Sequence, residues 1–342
     1  LETNSFYTFR KLYPQEFYTR FIESSIRPDG RKLLESREII ASQSSIDSAH
    51  GSAFIKLNTN AFRGHQAGTA SSSVVAGVQA RVGQLCSDHS TGVVANVELL
   101  PICNANTYRP GAPSDFAQTL SSRLNALLNE NQFLCTDQPP LINNIQVHCE
   151  KGEKIGMADT LRYYLYIDLY VLEDGGNLFD ACLMAMIAAL LDTKLPKTFV
   201  FQNAPAHVRC LPIKPTDPST FDTLCFHRLP LSVSYGALIE NQYMIADPTF
   251  EEEKLLLNQF SIVLDALAIC LPTQRKQFTH HVIDEKKKNK EMCALYKSSG
   301  LPIDPLIIGK LLPTTRQHVL KCFDLLTSLL TSSTSSSSSS SS

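Results

Sequence analysis

The chain holds 10 cysteines in 342 residues, yet no two are spaced as Cys-x-x-Cys. That removes the usual sign of a zinc ribbon or a redox dithiol. Several cysteines sit inside apolar runs, as Cys182 does in "DACLMAMIAAL", where a thiol packs as a small hydrophobe. Reduced thiols in a nuclear or cytosolic protein are expected, rather than a secreted disulfide framework. A run of about 18 apolar residues is also missing, so no membrane span is expected. The opening "LETNSFYTFRKLY" interleaves aromatic and charged residues and lacks the apolar centre of a signal peptide. There is no basic excess: the net charge is −2. That argues against non-specific coating of nucleic acid and leaves room for a local basic patch. GxSxG and the Gly-rich nucleotide fingerprint are absent too, which removes the standard sequence support for an α/β-hydrolase or a dinucleotide enzyme.

What remains is ordinary globular material, 43% apolar and 19% charged, long enough for one large or two medium domains. "PQEFYTRFIES" from Pro14 reads as a short helix, with Phe17 and Phe21, then Tyr18 and Ile22, four apart. "RPDGR" is a turn. "SAFIKL", "SVVAGVQARV" and "VVANVELL" read as strands, with a polar loop, "NTNAFRGHQAGTASS", after the first. Ser114 is a plausible N-cap for an amphipathic helix carrying Ala117, Leu120, Leu124 and Leu128. Leu161 to Leu172 is a long aromatic and β-branched strand. "EDGGN" then turns the chain into a helix, Ala181 to Leu191, capped by Asp180 and ended by Pro196. It is apolar all round and therefore central. "CFHRLPLSVSYGALI", "YMIAD" and "FSIVLDALAIC" read as a second strand set with a hairpin, followed by a last helix from Pro313 to Leu330. The pattern is α+β. The tail, residues 331–342, is Ser-rich and expected to be disordered.

Three features bear on chemistry. "ADPTFEEE" places Asp247 before Glu251, Glu252 and Glu253. Clustered carboxylates suit a divalent ion or acid–base work, but three in a row cannot all face one way, and a solvated turn between strands reads the same. His280-His281 lies beside the charge run "DEKKKNKE" and, as adjacent residues, would point to opposite faces of a strand, so no metal or other cofactor is expected. Arg109 in "TYRPGAP" precedes a helix start, where an arginine and backbone N–H groups favour a phosphate, and Arg63 in "AFRGH" is a second candidate for RNA contact.

Taken in order, "IRPDGR", "GSAFIKL", "VELLPICNANTYRPGAPSDFAQTLSSRL", "DGGNLFDACLMAMIAAL" and "IADPTFEEE" resemble the RNase PH-like family of the RNA exosome core ring. The likeness is closest to the branch that carries an Asp-Pro-Thr…Glu-Glu segment. It runs from about Tyr13 to Leu330, with a long loop over 58–72 and an unusual "CEKGEKIGMADT" as departures. The resemblance implies an RNase PH-like domain over 25–330, after a leader helix region over 1–24. It would have two similar βαβ-type halves with central helices packed between sheets. It also implies a six-membered ring of related subunits, RNA-binding cap subunits, RNA in the central pore, and an associated exosome nuclease. The expected location is the nucleus, including the nucleolus, and the cytoplasm.

Active relatives use phosphate to attack the 3′-terminal phosphodiester of RNA and hold it with a Gly-Thr-Arg turn at the central helix. Here the matching stretch offers Asn177, Leu178 and Phe179, and no guanidinium. Active relatives also carry an acid just after the glutamate segment. Here Gln259 stands nearest that place, and no carboxylate occurs from Lys254 to Val263. An amide cannot deliver a proton as a general acid does. The expectation is a degenerate site in a non-catalytic ring subunit, with "ADPTFEEE" a turn and a mark of lineage. The alternatives are a phosphate-dependent 3′–5′ exoribonuclease and a free RNA-binding protein.

Overall fold

The computed structural model describes residues 8–58, 71–84, 92–104, 107–109, 111–130, 134, 145–148, 154–157, 161–196, 198–204, 207–212, 221–238, 243–270 and 291–336. Arg63, His280 and His281 lie outside them. Helix α1 spans Pro14–Glu23, with its proline in the first turn. Strands β1 (Glu38–Gln43), β2 (Gly51–Asn58), β3 (Ser72–Gln84) and β4 (Val93–Leu99) follow, then helix α2 (Asp115–Glu130). After β5 (Ile145–His148) and β6 (Lys154–Met157) come the long β7 (Leu161–Glu173) and the central helix α3 (Leu178–Asp192). The second half holds β8 (Lys194–Pro196), β9 (Thr198–Ala204), β10 (His207–Pro212), β11 (Phe221–Thr223), β12 (Pro230–Ala237) and β13 (Met244–Ala246). Helix α4 (Phe250–Glu253), β14 (Asn258–Asp265), helix α5 (Ala266–Ile269), β15 (Met292–Gly300) and helix α6 (Pro305–Ser336) complete it.

The first half is a five-stranded sheet in the order β1-β2-β3-β7-β4. All its pairs are antiparallel except β4 with β7, the pair joined through α2. The second half is an antiparallel sheet in the order β13-β12-β14-β15. Smaller sheets, β10-β9-β5-β6 and β11-β8, lie beside them. Every residue of α3 except Asp180 and Asp192 is buried. The helix packs on β2 and β3 on one side and on β12 on the other, so an all-round apolar sequence is what its position requires. Helix α2 covers the edge strand β4 and also satisfies part of it. The Ala95 N–H donates to Asn125 Oδ1 at 2.8 Å, and the Val97 N–H donates to Ser121 Oγ at 2.9 Å. Side-chain acceptors of this kind remove donors that an exposed edge would offer to another strand.

Several local expectations are corrected. Asp180 does not cap α3. The helix begins three residues after Gly175, Asn177 is its N-cap residue, and Asp180 turns its carboxylate onto β12. The helix ends at Asp192, before Pro196, because Thr193 is extended and leads directly into β8. "FSIVLDALAIC" is a strand and then one turn of helix, since the Asp265 carboxylate accepts the Leu267 N–H at 3.1 Å and caps α5. Of "CFHRLPLSVSYGALI" only Pro230–Ala237 forms the strand. The last helix starts eight residues earlier than expected, includes Pro313, and continues to Ser336, into the segment expected to be disordered. Phe17, Tyr18 and Ile22 of α1 pack with Leu238 and Ile245 of the second half. Among the described residues, no helix is long and apolar enough to cross a membrane, and the six described cysteines form no disulfide with one another.

Candidate functional site

The "ADPTFEEE" segment is not a simple solvated turn, since of its four acids only Glu251 is exposed, and this is the main correction to the sequence reading. Thr249 and Glu252 form a capping box that starts α4. The three glutamates do point three ways, as adjacency requires, but each finds a partner. Glu251 accepts from Arg10 and, at 2.8 Å, from the Tyr18 hydroxyl of α1. Glu252 is buried and paired with the fully buried Arg27. Glu253 reaches the turn before α3, where its Oε1 accepts the Asn177 N–H at 2.8 Å and Gln259 Nε2 at 3.1 Å.

Asp247 stands at the centre. Arg37 donates Nε to its Oδ2 at 2.9 Å and Nη2 to its Oδ1 at 2.7 Å, and the Arg37 N–H adds a third bond at 2.8 Å. Arg31 Nη1 donates to Oδ2 at 3.0 Å, and Asn177 Nδ2 donates to Oδ1 at 2.7 Å. Burial would raise this carboxyl, but Arg37 and then Arg31 outweigh it and hold Asp247 far below the usual carboxylate range. Arg27 donates to the backbone carbonyls of Ala246, at 2.7 Å, and Asp247, at 3.1 Å. Arg37 also donates to the carbonyls of Gly175 and Gly176 in the turn before α3. The "RPDGR" arginines of the first half thus clamp the Asp-Pro-Thr segment of the second. Two residues here, Asn177 at φ +55° and Asp247 at φ +49°, hold left-handed backbone and are hydrogen-bonded to each other. Strain of this kind persists only where the surroundings over-determine it.

The expected degenerate positions fall as follows. Asn177 and Gln259, 82 positions apart, meet on the same oxygen of Glu253. Leu178 and Phe179 are buried core residues, with Phe179 edge-on to Tyr296 at 5.6 Å. The backbone amide that opens α3 is consumed by an internal carboxylate, and Asp174, in the same turn, adds a second acid. Its carboxylate accepts the Gly176 N–H at 3.2 Å and the Tyr108 hydroxyl at 2.9 Å. The Tyr108 bond ties the loop bearing Arg109 to this turn, and Arg109 itself is exposed. Sequence reasoning missed Arg27, Arg31, Arg37, Tyr108 and Asp174. Their motifs were visible, but nothing in the spacing joins positions about 210 apart. Among the described residues, no group of three or more His, Cys, Asp or Glu side chains could hold a metal ion.

Burial pushes the Glu253 carboxyl up to about 7, and nearby Asp174 pushes the same way, against the Asn177 hydrogen bond. A raised folded pKa means stability that is complete below the unfolded value and is lost as pH rises through the folded one. Glu253→Gln keeps an oxygen for both donors and removes the ionisation. The parent should lose on the order of 2 kcal/mol between about pH 4.5 and 8, and the variant should lose clearly less. Urea unfolding across that range checks it.

Comparison with known proteins decides what this architecture is. Residues 35–196 match the 3′ exoribonuclease family, domain 1, called RNase_PH. A solved structure of the Archaeoglobus fulgidus exosome with RNA bound to the active site superposes with a TM-score of 0.60 at 23% identity, over 90% of this chain and 95% of that one. The chain has the RNase PH fold. An archaeal exosome core superposes similarly, with a TM-score of 0.58 at 21% identity, over 91% and 95% of the two chains. The chain is also similar along most of its length to exosome components. It is 27% identical to exosome complex component rrp43 of Schizosaccharomyces pombe, over 90% of this chain and 93% of that protein. It is 29% identical to exosome complex component Rrp42 of Methanothermobacter thermautotrophicus, over 74% and 80%.

Proposed function

We propose that the chain is a non-catalytic subunit of the RNA exosome core ring, supporting 3′–5′ RNA processing and degradation through ring assembly and RNA threading. The observation that carries the non-catalytic reading is Glu253. Phosphorolysis needs a dianionic phosphate at the start of α3. Here that amide already donates to Glu253, with Asp174 nearby. A phosphate placed there would lose a donor and meet like charge. The place where active relatives carry an acid is Gln259, whose Nε2 donates to the same carboxylate, so it offers no proton-transfer group.

Sequence likeness to exosome components of fission yeast and archaea supports the ring. In this reading the neighbours are other RNase PH-like subunits, the cap subunits bind RNA, RNA passes through the central pore, and a separate nuclease does the cutting. The working compartments are the nucleus, with its nucleolus, and the cytoplasm. Arg109 is the candidate RNA contact: it is exposed, and its loop is fixed by the buried Tyr108. The test is one reconstitution. A ring containing this chain, given RNA and phosphate, should protect a length of RNA while this subunit releases no nucleoside diphosphate. Arg109→Glu should weaken protection several-fold, as expected for reversing one phosphate contact. Nucleoside diphosphates formed by the chain alone would establish the exoribonuclease alternative. A chain that purifies with RNA and without RNase PH-like partners would establish the free RNA-binding protein.

A further inference from the structure

A groove of about 650 Å³ runs between the 29–39 segment and helix α6. Its wall on α6 is His318, Lys321, Cys322 and Leu325, and its opposite wall includes Arg31, Glu35 and Glu38. Two cations face it without a full set of partners. The Arg31 side chain is only 10% exposed. Its Nε donates to Asp29 at 2.7 Å and its Nη1 to Asp247, yet its Nη2 has no hydrogen-bond partner. A buried donor without an acceptor costs free energy that a docking acceptor would recover. Lys321 is exposed and makes no ion pair among the described residues.

The remaining lining decides what kind of anion fits. Glu35 and Glu38 are exposed on the rim, so a chain of phosphates laid along the groove would meet two carboxylates. Ile39, Cys322 and Leu325 give half-buried apolar wall. Neither suits a nucleic-acid backbone. A polypeptide can place one carboxylate toward Arg31 and Lys321, an apolar side chain against Leu325, and a basic residue toward the rim acids. His318 keeps that wall in place: its Nε2 donates to the Leu34 carbonyl at 3.0 Å, and its Nδ1 takes the Ser36 hydroxyl at 2.5 Å.

We infer that this groove receives a segment of another polypeptide of the assembly, which presents an Asp or Glu carboxylate to Arg31 and Lys321. The inference rests on the ring reading for the presence of a partner chain.

Zero-length carbodiimide coupling on the reconstituted complex tests it, because that reagent joins an amine only to a carboxylate in contact. Lys321 should be found coupled to an Asp or Glu of a different chain. Lys321→Arg should assemble normally and lose that cross-link. Lys321→Glu should weaken association about tenfold, with a reduced dependence on salt. Its isolated chain should melt as the parent does, since the side chain is exposed. Coupling only to Glu35 or Glu38 of the same chain would overturn the inference. So would protection of Lys321 by RNA or by inorganic phosphate, or unchanged association of Lys321→Glu. If the complex forms and Lys321 couples to no other chain, the groove proposal falls and the ring reading stands. If no complex with RNase PH-like chains forms, both fall.

Discussion

Asp247→Ala should remove about 3–5 kcal/mol of unfolding free energy, the range seen when one partner of a buried ion pair is deleted. The variant leaves the guanidinium of Arg37, whose side chain is fully buried, without its two carboxylate bonds. It also removes the carboxylate bond of Arg31 Nη1, leaving that group only two longer backbone acceptors, and one bond of Asn177. Water cannot replace those acceptors without opening the contact between the two halves of the molecule. Asp247→Asn keeps the shape and one acceptor oxygen, and should cost less than the alanine variant. The pH dependence has a definite sign. The folded carboxyl lies far below the ordinary range, so its contribution is complete above the unfolded pKa, about 4. It is lost only as pH falls through the folded value. Urea unfolding at pH 7 and pH 3 measures both effects: the parent should stay ahead of the alanine variant at pH 7 and keep most of that lead at pH 3. A loss below about 1 kcal/mol at pH 7 would place the hub among ornamental ion pairs.

The second large effect should come from a single methyl group. Gly176 holds φ +91°. A Cβ there would lie 2.3 Å from the Phe250 nitrogen and 2.5 Å from the Thr249 carbonyl carbon. Both are backbone atoms of the segment that the arginines clamp, so neither can swing aside. Gly176→Ala should destabilise by about 2–4 kcal/mol, combining left-handed strain with overpacking. The control is Gly111, which also has positive φ, at +140°, but has nothing within 4 Å of the added carbon. Gly111→Ala should show strain alone and a smaller loss. Thermal melts of the two variants compare the terms directly. If both lose the same amount, the close approach of the α3 turn to α4 carries no energy of its own.

Much of the fold could be read from the chain. The period of α2, the length and β-branching of β7, and the uniformly apolar α3 all follow from local pattern. Each has one dominant cause: a face to bury, a pleated surface to cover, or a centre to occupy. The errors fall where tertiary contacts override a local signal. Asp180 has the residue type of a cap, but Ser232 and Ser234 of β12 offer three hydrogen bonds, and the helix starts earlier. The Ser-rich end of α6 extends a helix already nucleated by packed Leu311, Val319, Phe323 and Leu326.

The same division holds at the site. That Asn177 carries no guanidinium and Gln259 no carboxyl was legible, because residue type alone states what a side chain can hold or donate. The fate of "ADPTFEEE" was not. Four carboxylates in seven residues read as a solvated turn, since charge is costly to bury without partners. The partners of Asp247 and Glu252 are Arg27, Arg31 and Arg37, more than 200 residues away, the first two in a segment that reads as a surface turn. Only the packing of one half against the other brings the arginines onto the acids, and turns two unremarkable charged stretches into the buried clasp of the molecule.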